Sequence, residues 1–212
     1  MSAAAPLVCA HRGARAYHPD NSRAAFLAAI AMGADMIETD VRRAGDGRLL
    51  LAHDPIGAAP PQDAVELGEL VALAAGRVAL DVELKEAGCE EEVLAALDPR
   101  PEGLIVTSFL PAAIRALRAV DAGLRTGLIL PPGDRRGDVL ARAAACGADA
   151  VVAHVSLLDD ELGRRATEER RPLMVWTVNA PARLARVMRT PGVTHVVTDA
   201  PDVAVRVRAG LG

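Results

Sequence analysis

Aromatic side chains are nearly missing from this sequence, which has one Trp, one Tyr and two Phe among 212 residues. A core built without them is filled by Ala, Val and Leu, which supply most of the 51% hydrophobic content and suit the layered interior of a parallel sheet. Cysteine is scarce as well. Cys9, Cys89 and Cys146 are odd in number and widely spaced, which excludes a disulfide framework and a C-x-x-C pair, and reads as reduced core thiols in a cytoplasmic protein. Neither sign of charge dominates: 24 Lys and Arg against 28 Asp and Glu leave a formal net charge of -4. Without a basic stripe, nucleic acid is not the expected partner. No run of about 18 uncharged apolar residues is present, so no membrane-spanning segment is expected. The first six residues lack the charged and apolar regions of a secretory signal. The length suits one domain spanning residues 1–212.

What the chain does contain is alternation. Short apolar runs occur at Leu7–Ala10, Met36–Val41, Val78–Leu84, Leu104–Ser108, Thr126–Leu130, Ala150–Ala153, Leu173–Val178 and His195–Thr198. Between them lie segments with apolar residues at helical spacing: Ser22–Met32, Asp63–Ala75, Glu90–Leu97, Pro111–Val120, Gly137–Cys146, Asp159–Arg170, Ala182–Arg189 and Asp202–Ala209. Ser22, Asp159 and Pro181 mark helix starts. Eight strand-helix units predict an α/β fold, a compact (β/α)8 TIM barrel, with an open doubly wound sheet as the alternative. Asp46-Gly47, between two extended segments, predicts a β-hairpin after the second strand whose return carries His53 toward the barrel mouth. Pro/Gly patches at Gly57–Pro61 and Pro131–Gly137 read as loops, and Arg135-Arg136 as a solvated face.

Polar residues gather where barrel enzymes place their chemistry, after the strands. His11-Arg12-Gly13 follows the first strand, bringing a proton carrier, a guanidinium that can hold phosphate and a turn-permitting glycine. In Glu38-Thr39-Asp40 the two acids point the same way, and Met36, Ile37 and Val41 make the strand a buried one. Uncompensated anions there are costly, so a positive charge is expected between them. Asp81, Glu83 and Lys85 share one face of the third strand. They could form a self-satisfied ion network. Alternatively, Glu83 completes a three-carboxylate site for a hard divalent cation, with Lys85 toward a phosphate. His53-Asp54 could be a mere surface loop, but two histidines flanking a cation would supply the base and the acid that phosphodiester cleavage needs.

In order and spacing, His11-Arg12-Gly13, Pro19-Asp20-Asn21-Ser22, Gly33-Ala34-Asp35, Glu38-Thr39-Asp40-Val41, Asp46-Gly47 and His53-Asp54 resemble the signature of glycerophosphodiester phosphodiesterases. Glu83-Leu84-Lys85, Val175-Trp176-Thr177-Val178-Asn179 and Val197-Thr198-Asp199-Ala200-Pro201 extend the likeness over almost the whole chain. The resemblance implies a TIM barrel of glycerol and lipid metabolism. In it Glu38, Asp40 and Glu83 bind one divalent cation, Mg²⁺ or Ca²⁺ with Mn²⁺ as a third candidate, and His11 and His53 form the acid-base pair. Arg12 and Lys85 would steady the phosphate, Trp176 would line the substrate pocket, and Asn21 and Asp20 would support the site from behind.

Two departures stand out. Asp20 shortens the family's Glu by a methylene, and the compact stretch from His53 to Val78 lacks the usual Arg-Thr-Thr segment and the insertion that covers the glycerol end. The expected reaction is hydrolysis of a small-molecule glycerophosphodiester to sn-glycerol 3-phosphate and an alcohol. The alternatives are a lysophospholipase D-like phosphodiesterase and a non-catalytic phosphometabolite-binding barrel. The resemblance offers Asp199 no chemical role, and it reads as a cap for the loop after the last strand. His195, at the other end of that strand, is assigned none.

Overall fold

The computed structural model describes residues 5–57, 61–134 and 136–211; Arg135 and most of the patch at 57–61 lie outside them. The chain runs β1 (Leu7–His11), α1 (Arg23–Ala31), β2 (Met36–Arg43), β3 (Leu49–Leu51), α2 (Leu67–Ala74), β4 (Ala79–Leu84), α3 (Glu90–Ala96), β5 (Ile105–Ser108) and α4 (Pro111–Val120). It continues through β6 (Thr126–Leu130), α5 (Val139–Cys146), β7 (Ala150–His154), a 3-10 turn (Val155–Leu157), α6 (Asp160–Glu168), β8 (Leu173–Trp176), α7 (Pro181–Arg189), β9 (Val193–Thr198) and α8 (Pro201–Ala209).

Eight of these strands are parallel neighbours in the order β1-β2-β4-β5-β6-β7-β8-β9, and β1 pairs with both β2 and β9, so the sheet closes. This is a TIM barrel, not an open sheet. The expected hairpin is present: β3 pairs antiparallel with β2, Val41 opposite Leu51 and Arg43 opposite Leu49. Its turn uses Gly47 at φ 89°, a conformation that suits a residue without Cβ.

Local chemistry sets the helix limits. Ser22 caps α1 by accepting from Ala25 N at 3.2 Å, Asp138 caps α5, Asp159 caps α6, and Pro begins α4, α7 and α8. The second helix corrects the sequence reading. It starts at Leu67 and not near Asp63, because Glu66 forms a reciprocal capping box with Glu69 and Leu50 bridges to Glu66.

Alternation then sorts the side chains. Outward residues such as Ile37, Val41, Leu80 and Val82 pack under the helices with Phe26 and Leu70. The barrel interior holds Cys9, Met36, Ile105, Ile129, Val152, Met174 and Val197. With so few aromatics the interior closes on small groups: a Cβ on Gly127 would lie 3.0 Å from Thr107 Cγ2 and Val152 Cγ2. All three cysteines are buried and free, and among the described residues no helix is long and apolar enough to cross a membrane.

Candidate active site

Above the apolar interior the inward column becomes polar, at the carboxyl ends of the strands. The chain leaves β1 through Arg12 (φ 53°) and Gly13 (φ 79°). A Cβ on Gly13 would lie 2.7 Å from the Ala25 backbone, so only glycine lets this turn press onto α1. The turn aims Arg12 N at Glu38, whose Oε2 accepts at 2.8 Å. Asn21, buried and at φ 51°, donates through Nδ2 to Asp40 Oδ2 at 2.9 Å and accepts from Thr39 Oγ1 at 2.8 Å.

Glu38, Asp40 and Glu83 are all buried, and each offers a carboxylate oxygen within 4.8 Å of the others. Asp40 is fully enclosed between two cations. Arg12 Nε stands 2.9 Å from its Oδ2, and Lys85 Nζ lies 3.1 Å from its Oδ1 and 2.7 Å from Glu83 Oε1. Asp40 Oδ1 and Glu83 Oε1 thus share the Lys85 ammonium as their partner. Burial pushes Asp40 up, yet Lys85 and Arg12 outweigh it and hold the carboxyl below its usual range. Burial raises Glu38 well above the carboxylate norm, with Asp40 and Glu83 adding repulsion. Glu83 is raised to about 7, by burial first, with Lys85 opposing and Asp40 adding to the rise. Three converging buried carboxylates are the set a hard divalent cation takes.

Two imidazoles border this cluster. His11 ends β1 and is largely buried, which lowers its pKa against the opposing pull of Asp199. His53 follows the hairpin. Arg42 donates to its carbonyl from Nε at 3.0 Å and from Nη2 at 2.8 Å, and Ala52 N donates to Asp40 O at 3.0 Å. The hairpin thereby returns His53 to the mouth.

One cleft is lined by His11, Arg12, Glu38, His53, Glu83 and Lys85. Its apolar lining is Phe109, Ile129, Val152, Trp176 and Val197, and Asp81 and Thr107 line it as well. Phe109 and Trp176 meet edge to face with centroids 5.8 Å apart, and Lys85 Nζ lies 5.7 Å from the Phe109 ring centre. Trp176 Nε1 donates to Val152 O at 3.2 Å, so the indole offers the cleft an apolar face. Asp20 is outside the cleft wall, with its Oδ2 3.0 Å from Arg12 Nη1.

Of the ten residues singled out from the sequence, seven line the cleft, Asp40 and Asn21 lie buried, and Asp20 stands outside it. Asp81, read from the sequence on the inward face with Glu83, lines the cleft as well. Phe109 did not stand out in the sequence; it points inward by strand parity, which is readable once strand limits are known. Asp199 requires a correction: it does not cap the following loop. Both of its carboxylate oxygens meet side chains, Oδ1 at His11 Nδ1 and Oδ2 at Asn179 Nδ2, each at 2.7 Å, and α8 is entered through Ala200 with no side-chain cap.

Comparison with known proteins agrees with this geometry. YhdW of Bacillus subtilis (strain 168), provisionally named a glycerophosphodiester phosphodiesterase, is 28% identical over 94% of this chain and 96% of its own. The glycerophosphodiester phosphodiesterase of Caldanaerobacter subterraneus subsp. tengcongensis is 27% identical over 96% and 98%. An Oleispira antarctica phosphodiesterase, solved with the product sn-glycerol-3-phosphate, shares the fold at TM-score 0.84 and 21% identity, covering 96% of each chain. The model of the glycerophosphoryl diester phosphodiesterase family matches residues 11–71 and 78–203. The chain belongs to that family.

Proposed function

We propose that this protein hydrolyses glycerophosphodiesters to sn-glycerol 3-phosphate and an alcohol, in a divalent-cation-dependent reaction with His11 and His53 as the acid-base pair. The observation that carries the reading is the convergence of Glu38, Asp40 and Glu83 within 4.8 Å beside a cleft that His11 and His53 both line. A binder of phosphorylated metabolites needs the cations but has no use for two proton carriers on either side of the phosphate.

The three carboxylates would hold Mg²⁺, Ca²⁺ or Mn²⁺. When bound, the cation neutralises charge on the phosphodiester and acidifies a nucleophilic oxygen. Lys85 and Arg12, already anchored on Asp40, present the remaining positive charge to the phosphate oxygens. His11, the enclosed imidazole, accepts a proton from the neighbouring glycerol hydroxyl as its oxygen attacks phosphorus, and water then opens the resulting cyclic phosphate to glycerol 3-phosphate. His53, whose side chain is 43% exposed, gives a proton to the departing alkoxide. Trp176 and Phe109 close the apolar side and shape the space for the carbon skeleton of the substrate. The free buried thiols support a reducing, cytoplasmic setting.

The test is turnover of glycerophosphodiesters with each divalent cation and with chelator. Loss of glycerol 3-phosphate release on chelation, and in His11→Ala, His53→Ala and Glu38→Ala, is expected. Undiminished release in all four cases would overturn the reading.

A second reading draws on the space outside His53. A cavity of about 680 Å³ adjoins the cleft at Arg12 and His53 and runs between Asp20 and Pro55. Such room for a bulky substituent favours lysophospholipids as further substrates. Choline or ethanolamine release from lysolipid, in preference to glycerophosphocholine or glycerophosphoethanolamine, identifies that activity.

A further inference from the structure

Asp199 follows β9, which lies beside β1 in the closed barrel. Its two carboxylate oxygens are divided between two side chains, with His11 Nδ1 2.7 Å from Oδ1 and Asn179 Nδ2 donating to Oδ2 at 2.7 Å. Asn179 has no freedom to turn its amide. Its Oδ1 accepts from Thr198 Oγ1 at 3.0 Å and from Asp199 N at 2.9 Å, so its NH₂ is committed to the carboxylate. The Asp199 carbonyl accepts from Ala16 N at 3.0 Å, which ties this corner to the loop that follows His11.

We propose that Asp199, held by Asn179, is a positioning residue for His11: by accepting from Nδ1–H it fixes the ring's tautomer and rotation and leaves Nε2 as the atom that takes a proton in the cleft. The proposal deepens the phosphodiesterase reading and rests on it for the chemistry, while its geometry rests on the distances alone.

One contact competes. Arg15 Nη1 lies 3.4 Å from the same Nδ1. An arginine can only donate and a carboxylate can only accept, so a single ring state cannot serve both. The carboxylate prevails, because its contact is 0.7 Å shorter and charge-assisted. Arg15 Nε, 3.7 Å from Asp199 Oδ1, then serves as a flanking counter-charge.

The second imidazole shows what the device adds. His53 also has a carboxylate on Nδ1, Asp54 at 2.9 Å, but their side chains are 43% and 91% exposed, against 11% and 23% for His11 and Asp199. Away from water such a bond is stronger and holds its geometry. Only His11 is held by a network that reaches a second strand end.

Asn179 dictates what Asp199→Asn does. Its NH₂ still needs an acceptor, so the new amide turns its oxygen to Asn179 and its own NH₂ to His11. Nδ1 must then accept, the proton moves to Nε2, and the ring's single lone pair faces away from the cleft. The same inversion disables serine proteases when Asn replaces the triad Asp.

Two measurements decide the matter. In the full-length protein at pH 8, without substrate or metal, ¹⁵N shifts of the His11 ring should report Nδ1–H in the wild type and Nε2–H in Asp199→Asn. Turnover of the variant should fall about 100-fold or more in kcat, with KM within about threefold and an unchanged melting temperature. An Nε2–H tautomer in the wild type overturns the proposal, even if the variant fails to fold. So does a variant with kcat within about threefold of wild type. A merely structural role would lower the melting temperature and leave the tautomer unchanged, and that result also overturns it. If the wild type cleaves no phosphodiester, the functional reading falls, and positioning stands or falls on the tautomer.

Discussion

Asp40 stands directly opposite Glu83 across the β2–β4 ladder, with Glu38 opposite Asp81 two residues earlier. Like charges facing across a ladder repel, and these four acids are buried. Lys85 reaches over Asp40 and Glu83 in compensation.

Removing that ammonium leaves the acids unpaired. Lys85→Met should destabilise the protein by about 3–5 kcal/mol, the usual penalty for breaking a buried ion pair from one side. Thermal melts in chelator measure it. A divalent cation should stabilise the wild type by about 2.7 kcal/mol at 100 times its Kd, and so raise its melting temperature. Glu83→Gln and Glu38→Gln should lose most of that increment.

Asp81 has a titration consequence at the base of the same cluster. Burial pushes its carboxyl up to about 7, against the hydrogen bond from Thr107. The unfolded chain releases this proton near pH 3.8, so between pH 4 and 7 the folded state holds the extra proton. Stability from this group is therefore full below pH 4, declines as pH rises, and is lost above 7. Asp81→Asn keeps an acceptor for Thr107 and removes the ionisation. In chelator, the variant's advantage in urea midpoint should grow from pH 4 to 7 and then level off. An advantage that does not vary with pH would contradict this account.

Most of the barrel was legible because strand parity and helix caps are local. Pro111–Val120 was read to the residue, since Pro111 opens the helix and the apolar spacing ends at Val120. Period two alone placed Glu38 with Asp40 and Asp81 with Glu83 on inward faces. What escaped was not local. Asp199 lies 188 residues from His11, and the two meet only because β9 closes on β1. The late start of α2 depends on a bridge from Leu50 on the hairpin, which no helical period within the segment reveals. Arg12 was read as a phosphate ligand, and its prior commitment to Asp40 and Asp20 appears only once the β1 turn is folded back.

Asn21 shows how that turn supports the acids. Its amide bridges Thr39 Oγ1 and Asp40 Oδ2 in a buried position, so Asn21→Ala removes two partners at once. Leaving those groups unsatisfied costs about 1–3 kcal/mol. Loss of a group that orients a metal-binding carboxylate typically costs 10–100-fold in affinity. The variant should melt lower and need more divalent cation for half-maximal activity. A lower melting temperature with unchanged cation dependence would confine Asn21 to stability.

The opposite end of the barrel sets an acid limit. His195 is buried, which lowers its pKa to about 4, helped by Arg125 and opposed by Asp35. The folded chain keeps this ring neutral where the unfolded chain takes up a proton near pH 6.5. Stability from His195 is therefore complete above 6.5 and falls away toward pH 4, the reverse of the trend from Asp81. The gap corresponds to about 3 kcal/mol at roughly 1.4 kcal/mol per pH unit. His195→Phe removes the titrating group. Its urea midpoint, compared with wild type from pH 7 down to 4, should gain on wild type throughout that window. A constant difference between the two proteins would show that the His195 ring takes up its proton at the same pH in the fold as in the unfolded chain.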